Sequence, residues 1–187
     1  MSQKREHPRI ILVTGAPGVG KTTLIQRIHQ HYKTKGLRIA GITTHEVREG
    51  DQRVGFRITN LSSGAEGWLA RLDDGAGPRI GKYTVVSRDL ELIGVGGLRE
   101  ATERPDDLAL VDEIGPMEMT SSAFRDAVAK LLSQEGFVIA AVKYGSHYPE
   151  VEGASETAET VNMEVLRNNR EEVFQRITSI VDSWMKR

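Results

Sequence analysis

The chain has 187 residues, of which 25 are Lys or Arg and 26 are Asp or Glu, so its formal net charge is −1. It has no cysteine, which excludes disulfides, thiolate metal sites and cysteine nucleophiles. The balanced charge argues against a general nucleic-acid binder, and every apolar run is far shorter than the roughly 20 residues of a membrane-spanning helix. With the polar stretch at residues 1–9, these features predict a soluble cytoplasmic protein with one domain over residues 1–187 and no membrane partner.

The N-terminal part of the chain has the pattern of a strand, a helix and a second strand. Residues 9–13 form a short β-branched run that stops at a Thr-Gly pair, which predicts a buried strand. Residues 20–35 carry apolar side chains at helical spacing, and Gly36 is suited to the end of that helix. Residues 37–44 predict the second strand.

The middle of the chain has a different, antiparallel pattern. Residues 53–61 alternate in part between apolar and polar side chains, and residues 67–72 and 82–86 predict two further short strands. We interpret residues 50–86 as a small antiparallel β meander inserted after the second strand. A helix is predicted from about residue 88 to residue 101, but the pattern does not explain the glycines inside it: Gly94, Gly96 and Gly97.

Strands and helices alternate in the second half of the chain. Residues 108–111 and 137–142 are continuous apolar runs that predict buried parallel strands, with an amphipathic helix over residues 121–134 between them. A polar loop, a last strand and a terminal helix are expected at residues 144–158, 161–165 and 171–185. This order predicts an α/β fold with a mostly parallel central sheet flanked by helices.

The strongest chemical signal follows the first strand and opens the first helix. It matches the phosphate-loop pattern G-x-x-x-x-G-K-[ST] and comprises Gly15, Ala16, Pro17, Gly18, Val19, Gly20, Lys21 and Thr22. Backbone N–H groups of such a loop, together with the helix N-terminus, bind phosphate oxygens, and we include Thr23 among the expected contacts. Lys21 can reach the β- and γ-phosphates, and the Thr22 hydroxyl can bind Mg²⁺. A plain glycine turn that caps a helix is the alternative, and the strand before it and the helix after it favour the phosphate loop.

Two carboxylates, Asp112 and Glu113, follow the buried strand at residues 108–111. Ligands of open α/β sheets bind beyond the carboxyl ends of the strands. We expect Asp112 to hold the Mg²⁺ shell. Strand alternation directs Glu113 to the opposite face, where it can activate water at the γ-phosphate. Two solvated acids at a strand end are the alternative, and the neighbouring phosphate loop favours a magnesium–nucleotide site.

Three segments resemble the small nucleoside triphosphatases of thermophilic bacteria and archaea, a family that includes the human cancer-related nucleoside triphosphatase. They are residues 111–118 (VDEIGPME), residues 41–50 (GITTHEVREG) with Arg53, Gly55 and Phe56 after them, and Asn169-Arg170. The resemblance implies a RecA-like P-loop core with extra strands, and slow hydrolysis of several nucleoside triphosphates with little base preference. It also implies a second nucleotide-binding segment made of Leu108, Ala109, Leu110, Val111, Asp112, Glu113, Ile114 and Gly115.

Further charged side chains are candidates for the γ-phosphate site. Glu46 and Arg48 share one face of an extended segment, where Arg48 can act as an arginine finger, with a surface ion pair as the alternative. Lys143 ends a central strand and is either a phosphate sensor or a solvated lysine. Arg170 begins the last helix, an end where a cation is disfavoured unless it has a specific partner. Residues 152–159 are acidic where the family is basic, so other groups must offset phosphate charge here.

Together these features predict an Mg²⁺-dependent hydrolase of nucleoside triphosphates, with Glu113, Lys21 and Arg48 in the chemistry. No [NT]-K-x-D guanine-reading motif follows a strand, in agreement with weak base selectivity. A small-molecule or nucleotide kinase is one alternative, because the meander offers arginines for an acceptor pocket: Arg53, Arg57, Arg71 and Arg79. A nucleotide-gated interaction module, which binds tightly with negligible turnover, is the other.

Overall fold

The computed structural model describes residues 7–73 and 75–186, so the first six residues of the polar N-terminal stretch lie outside the described part. Its strands are β1 Pro8–Thr14, β2 Ile39–Glu49, β3 Gln52–Asn60, β4 Glu66–Arg71, β5 Arg79–Ile80, β6 Tyr83–Val85, β7 Leu108–Ile114, β8 Gly136–Val142 and β9 Glu159–Glu164. The described strands form one nine-stranded sheet in the order β5-β6-β4-β3-β2-β7-β8-β1-β9.

Helices cover both faces of this sheet. They are α1 Lys21–Thr34, α2 Ser87–Asp89, a π-helix Leu90–Val95, α3 Gly96–Glu103, a 3₁₀ turn Glu118–Thr120, α4 Ser122–Ser133, α5 Pro149–Thr157 and α6 Arg170–Met185. The apolar faces of α1 and α6 pack on one side, whereas the π-helix, α3, α4 and α5 pack on the other. None of the described helices is long and apolar enough to cross a membrane.

The central strands are parallel, and their sequences explain why. β1 pairs with β8 and β9, and β7 pairs with β2 and β8, all in parallel. Both faces of β7 and β8 are covered by helices, so their sequences are continuous apolar runs rather than alternating ones. The predicted α/β class with a RecA-like core is confirmed, and the carboxyl ends of β1, β8 and β7 lie side by side at one edge of the sheet.

The meander predicted at residues 50–86 is a continuation of the same sheet. Residues 39–42 of β2 pair in parallel with β7, and the strand then runs on to pair antiparallel with β3. β4, β6 and β5 extend this antiparallel part to the sheet edge. The predicted end of β2 at residue 44 was too early. The second half of the strand carries mostly polar, exposed side chains, so it has no hydrophobic pattern, and its pairing with β3 stabilises it as a strand.

The helix predicted near residues 88–101 is confirmed as a continuous helical segment over residues 87–103, and packing against the sheet explains two of its three glycines. A Cβ atom on Gly97 would come within 2.6 Å of the Gly41 carbonyl oxygen and 2.8 Å of Ile42 Cγ2. A Cβ atom on Gly94 would meet the Ile58 Cδ1 atom at 3.0 Å. Gly94 and Gly97 therefore let the helix backbone approach the sheet closely.

The polar loop predicted at residues 144–158 is wrong over its second half, which forms α5. Pro149 occupies the start of this helix, and Glu150 and Glu152 lie in its first turn, two features that stabilise a helix N-terminus. Val151 and Ala154 face inward and are each 8% exposed. Most of the acidic stretch at residues 152–159 therefore belongs to a helix that packs on α4.

Candidate active site

The phosphate loop connects β1 to α1 and is shaped by glycine. A Cβ atom on Gly15 would lie 2.6 Å from the Val165 carbonyl oxygen, so only glycine leaves room for the adjacent chain. Gly20, the residue before α1, has a φ of 105° and provides no side-chain cap. The first N–H groups of α1 are thus free of a side-chain acceptor and available to an anion.

Lys21 and Thr22 lie at the start of α1, beside the carboxyl end of β7. The Lys21 Nζ atom donates a hydrogen bond to the Gly15 carbonyl oxygen at 2.9 Å. The Thr22 hydroxyl lies near the Asp112 carboxyl group, where it lowers the pKa of Asp112. The phosphate loop is therefore linked directly to the first of the two acids after the central strand.

Asp112 is a buried carboxylate with unused ligand capacity. It is 1% exposed, and its Oδ2 atom has no hydrogen-bond partner among the described residues. Burial raises the pKa of Asp112 to about 7, against the opposing effects of the Thr22 hydrogen bond and the Lys21 charge. A buried oxygen of this kind, next to a threonine hydroxyl, is suited to the shell of a hard divalent cation.

Glu113 lines the cleft, whereas Asp112 is buried and does not line it. The pairing of β7 with β8 shifts register between Val111 and Ile114, so strand alternation alone does not decide on which face the Glu113 side chain lies, and the expected opposite faces stay a prediction. Burial raises the pKa of Glu113, while the charges of Lys21 and Lys143 oppose that rise. Glu113 is therefore close enough to both lysines to interact with their charges, and Asp112 is close enough to Glu113 and Lys21.

Lys143 and Arg170 come to the phosphate loop from two other elements. Lys143 follows β8 and lines the cleft, and its backbone N–H donates to the Ile114 carbonyl oxygen at 3.1 Å. Arg170, the first residue of α6, lies against Gly20. The structure thus supplies cations beside the loop, although the segment at residues 152–159 is acidic.

Arg48 does not line the cleft. Its Nε atom donates to Glu46 Oε1 at 2.7 Å, and its Nη1 atom donates to the Asp51 carbonyl oxygen at 2.9 Å. The hydrogen bond from Arg48 is the largest of the effects that lower the pKa of Glu46. The structure therefore agrees with the alternative of an exposed ion pair, and Glu46 itself lies on the cleft wall.

The cleft has a volume of about 860 Å³ and includes only part of the predicted set. Its predicted lining residues are Gly15, Pro17, Gly18, Gly20, Lys21, Thr22, Thr23, Glu46, Glu113 and Lys143. The predicted contacts that do not line it are Ala16, Val19, Leu108, Ala109, Leu110, Val111, Asp112, Ile114, Gly115 and Arg170. The apolar members of β7 are buried in the sheet, where they position the acids rather than reach a ligand.

The sequence analysis did not predict that Glu118 belongs to the cleft. Its side chain is 3% exposed and lines the cleft. A Cβ atom on Gly115 would lie 2.9 Å from Glu118 Oε2 and 3.0 Å from Glu113 Oε1, so both carboxyl groups lie beside Gly115 and close to each other. Burial raises the pKa of Glu118 to about 8, and the charges of Glu113 and Asp112 add to that rise. Glu118 belongs to the resembling segment at residues 111–118, which was the available signal.

Comparison with known proteins agrees with this geometry. The model of the NTPase family matches residues 10–178. The chain belongs to this family. Membership confirms the resemblance carried by the three sequence segments and identifies the protein as a hydrolase.

Among its relatives in this family, the nucleoside-triphosphatase THEP1 of Thermotoga maritima is 43% identical over 171 residues, covering 91% of this chain and 94% of the relative. The protein of the same name from Methanopyrus kandleri is 36% identical, and the match covers 96% of this chain and 98% of the relative. The crystal structure of THEP1 from Aquifex aeolicus is similar with a TM-score of 0.78 and 30% identity over 91% of this chain and 98% of that chain. The solution structure of a human cancer-related nucleoside triphosphatase is similar with a TM-score of 0.78 and 31% identity, over 94% of this chain and 98% of that chain.

Proposed function

We propose that the protein hydrolyses nucleoside triphosphates to the diphosphate and phosphate, with Mg²⁺, low base selectivity and slow turnover. The observation that carries this proposal is that Lys21, Glu113 and Lys143 line one end of the cleft, with the buried Asp112 beside Lys21 and Glu113. The relatives named nucleoside-triphosphatase support the same reaction. A phosphate loop beside a metal-holding acid and a second acid that can position water is one arrangement that supports phosphoryl transfer to water.

The phosphate loop would bind the triphosphate through its backbone N–H groups. Lys21 would exchange its hydrogen bond to the Gly15 carbonyl for the β- and γ-phosphate oxygens. This exchange replaces a neutral acceptor with a charged one, and charge-assisted hydrogen bonds are the stronger kind. Substrate binding would therefore draw the Lys21 ammonium out of the loop.

Thr22 and Asp112 are the residues that would hold Mg²⁺. The fit rests on Asp112 Oδ2, a buried oxygen that has no partner among the described residues, and on the Thr22 hydroxyl beside it. No cluster of three His, Asp or Glu side chains suited to a metal occurs in the described part of the chain. Mg²⁺ sites commonly combine one or two protein ligands with substrate phosphates, and the ion would neutralise charge on the β- and γ-oxygens.

Glu113 would orient and deprotonate the attacking water. The water oxygen forms a bond to the γ-phosphorus, the bond to the β–γ bridging oxygen breaks, and the water proton moves to the Glu113 carboxylate. The raised pKa of Glu113 makes it a stronger base than a solvated glutamate while it is ionised. Lys143, whose charge acts on Glu113, would offset charge on the equatorial oxygens.

Two features support the low base selectivity and slow turnover. The sequence lacks the [NT]-K-x-D motif that reads guanine. Arg48 is held by Glu46, and phosphate-loop hydrolases without an arginine finger turn over slowly, at roughly 10⁻⁴ s⁻¹ in the Ras template. The balanced charge also supports a cytoplasmic protein without a nucleic-acid partner.

Phosphate release from purified protein tests the proposal. Wild-type protein is assayed with ATP, GTP, CTP, UTP and a deoxynucleotide, with and without Mg²⁺ and with no added acceptor. We expect release from each nucleotide only with Mg²⁺, and a loss of about 10²–10⁴-fold in Glu113→Gln with nucleotide binding retained. Full activity in Glu113→Gln contradicts the assigned base, and tight binding without turnover in wild type supports an interaction module instead.

A further inference from the structure

The cleft extends well beyond the residues that the hydrolysis proposal uses. One end is formed by the phosphate loop and the acids after β7, and the other by β2, β3 and the β5–β6 hairpin. We call the second end the meander half; its lining residues are Glu46, Arg53, Phe56, Leu69, Ile80, Gly81, Lys82 and Tyr83. The whole cleft has about 860 Å³, near the top of the roughly 300–1,000 Å³ range of small-molecule sites.

The sheet order places the meander half on the attacking side of the γ-phosphate. From the phosphate loop after β1, the sheet passes through β8 with Lys143, then β7 with Glu113, and then β2 and β3. Glu113 therefore lies between the phosphate loop and the meander half. In an in-line displacement, the attacking oxygen and the leaving diphosphate are on opposite sides of the phosphorus. With Glu113 at the attacking oxygen, the nucleoside points away from the meander half.

Arg53 is the fixed cation of the meander half. Its Nε atom donates to the Tyr83 hydroxyl at 2.8 Å, and its Nη1 atom donates to Glu46 Oε2 at 3.3 Å. These contacts among the described residues use two of the five N–H donors of the guanidinium group, so the others can bind an anion. Because the group is already oriented, less side-chain entropy is lost when a carboxylate or phosphate binds to it.

Aromatic rings form the apolar wall next to this cation. The Phe56 and Tyr83 rings are 5.2 Å apart in an edge-to-face arrangement, and the Arg53 guanidinium carbon lies 5.0 Å from the Phe56 ring centre. Phe56 is only partly buried, so part of its ring is accessible from the cleft. A rigid aromatic surface beside an oriented guanidinium suits a planar ligand that carries one anionic group.

Of the four arginines expected in an acceptor pocket, Arg53 alone lines the cleft among the described residues. Arg57, four residues along the same strand, pairs with Glu66 at 2.9 Å and lies over the Trp68 ring. Arg71 pairs with Asp73. Arg57 is therefore a matched comparison for Arg53, since both are partly exposed cations of β3 held by a glutamate and an aromatic ring.

We propose that the meander half binds a planar, anionic small molecule with a hydroxyl group and that this molecule accepts the γ-phosphoryl group. The inference rests on the proposed function, because it uses the same γ-phosphate position and the same base. The acceptor oxygen forms a bond to the γ-phosphorus, and the bond to the β–γ bridging oxygen breaks with its electron pair kept by the diphosphate. The acceptor proton passes to Glu113 and then to solvent. Hydrolysis is the same step with water in place of the acceptor.

Binding is tested first, with the phosphate loop filled by ADP and Mg²⁺ so that probes cannot bind there. The probes are nucleoside 5′-monophosphates and hydroxybenzoates, with the parent nucleosides and phenol as neutral counterparts, and binding is followed by ligand-observed NMR. We expect the anionic probes to bind about tenfold more tightly than their neutral counterparts. Arg53→Gln should lose about tenfold in affinity, whereas Arg57→Gln stays within about twofold of wild type.

Transfer is tested second, with ATP labelled at the γ-phosphate. We expect label in the probe and an excess of ADP over free phosphate, both reduced in Arg53→Gln. Tyr83→Phe, which keeps the ring and removes one partner of Arg53, gives a second variant should Arg53→Gln not fold, with a smaller loss expected. Failure of every probe to bind, equal losses in Arg53→Gln and Arg57→Gln, or binding without label transfer overturns the inference. Label transfer without phosphate release to water contradicts the hydrolase proposal alone.

Discussion

Arg170 lies against Gly20, so the start of the last helix touches the end of the phosphate loop. The Cδ and Nη1 atoms of Arg170 are 3.0 Å and 3.1 Å from the position that a Cβ atom of Gly20 would take. A cation at a helix N-terminus opposes the helix dipole, which makes a partner outside the helix the expected reason for it. Phosphates bound by the loop would be such a partner.

We expect Arg170→Ala to lower kcat/KM for nucleoside triphosphates by about 10–100-fold, with partial recovery in Arg170→Lys, because a charge-assisted contact contributes about 1.5–3 kcal/mol. Arg48→Ala should stay within about threefold of wild type, since Arg48 is engaged by Glu46. Steady-state kinetics on the three variants measures both effects. A loss of about 10³-fold or more in Arg48→Ala would restore Arg48 as the arginine finger.

The pH dependence of turnover should report Glu113. Its pKa is raised by burial, and only the ionised carboxylate accepts a proton, so kcat falls as the pH drops through that raised pKa. We expect the acid limb of the profile to lie above the ordinary glutamate range near about 4.3. The residual activity of Glu113→Gln should lack this limb. An unchanged limb in that variant assigns the titration to another group.

Asp112→Asn should separate metal binding from folding. The variant keeps the shape of the side chain but removes the charge, so nucleotide affinity should gain less from Mg²⁺ than it does in wild type. Burial raises the pKa of Asp112 to about 7, so the charge is costly without the metal and the metal-free variant should be more stable than wild type at pH 8. Calorimetric nucleotide binding with and without Mg²⁺, together with urea unfolding, measures both. Unchanged Mg²⁺ dependence argues against Asp112 as a ligand.

Glu118 should make the metal-free protein less stable as the pH rises. Its pKa is raised from 4.5 to about 8, so between these values the folded state holds a proton that the unfolded chain has lost. The free energy of unfolding then falls with increasing pH, by up to ~1.4 kcal/mol per pH unit. Asp112, whose pKa is raised to about 7, adds a slope of the same sign at lower pH, so Glu118→Gln should lower the slope most clearly between pH 7 and 8, as measured by urea unfolding. The exposed control Glu156→Gln should keep the wild-type slope, and a slope above pH 7 that is equal in Glu118→Gln and wild type refutes the assignment.

Two neighbouring glycines of α3 should respond in opposite directions to alanine. Gly97→Ala brings a methyl group within 2.6 Å of the Gly41 carbonyl oxygen, and we expect a loss of about 1–3 kcal/mol in unfolding free energy. The nearest atom to a Cβ on Gly96 is Asn60 Nδ2 at 4.0 Å, so Gly96→Ala should gain about 0.5–1 kcal/mol from helix propensity. Thermal or urea unfolding measures both, and a stable Gly97→Ala protein would mean that the helix can move away from the sheet.

The parts of this molecule that the sequence predicts well are those with a local pattern. The phosphate loop, the buried strand before Asp112 and Glu113, and the helices with a strong apolar face can each be identified from a short window. Helix α5 was missed because, among its described side chains, only Val151 and Ala154 are buried, and its other signals are a proline and acids at its start.

The rest of the site depends on contacts between distant segments. Arg53 and Tyr83 are 30 residues apart, and only the pairing of β3, β4 and β6 brings them together at the cleft. Glu118 comes close to Glu113 because a 3₁₀ turn follows Gly115. No periodic pattern in the sequence predicts that turn. Chemistry that rests on such tertiary contacts cannot be derived from spacing alone.

The long strand β2 has a mechanical consequence for substrate choice. The first residues of β2 are hydrogen-bonded to β7, and the rest of the strand is hydrogen-bonded to β3. The phosphate-loop end of the cleft and the meander half are therefore joined by one continuous, rigid sheet. A lobe that rotated closed over its substrate would have to break those backbone bonds. The cleft should then select acceptor molecules by their length. An acceptor long enough to reach from the γ-phosphate to Arg53 would exclude water from the γ-phosphate, whereas a shorter one would leave room for water there.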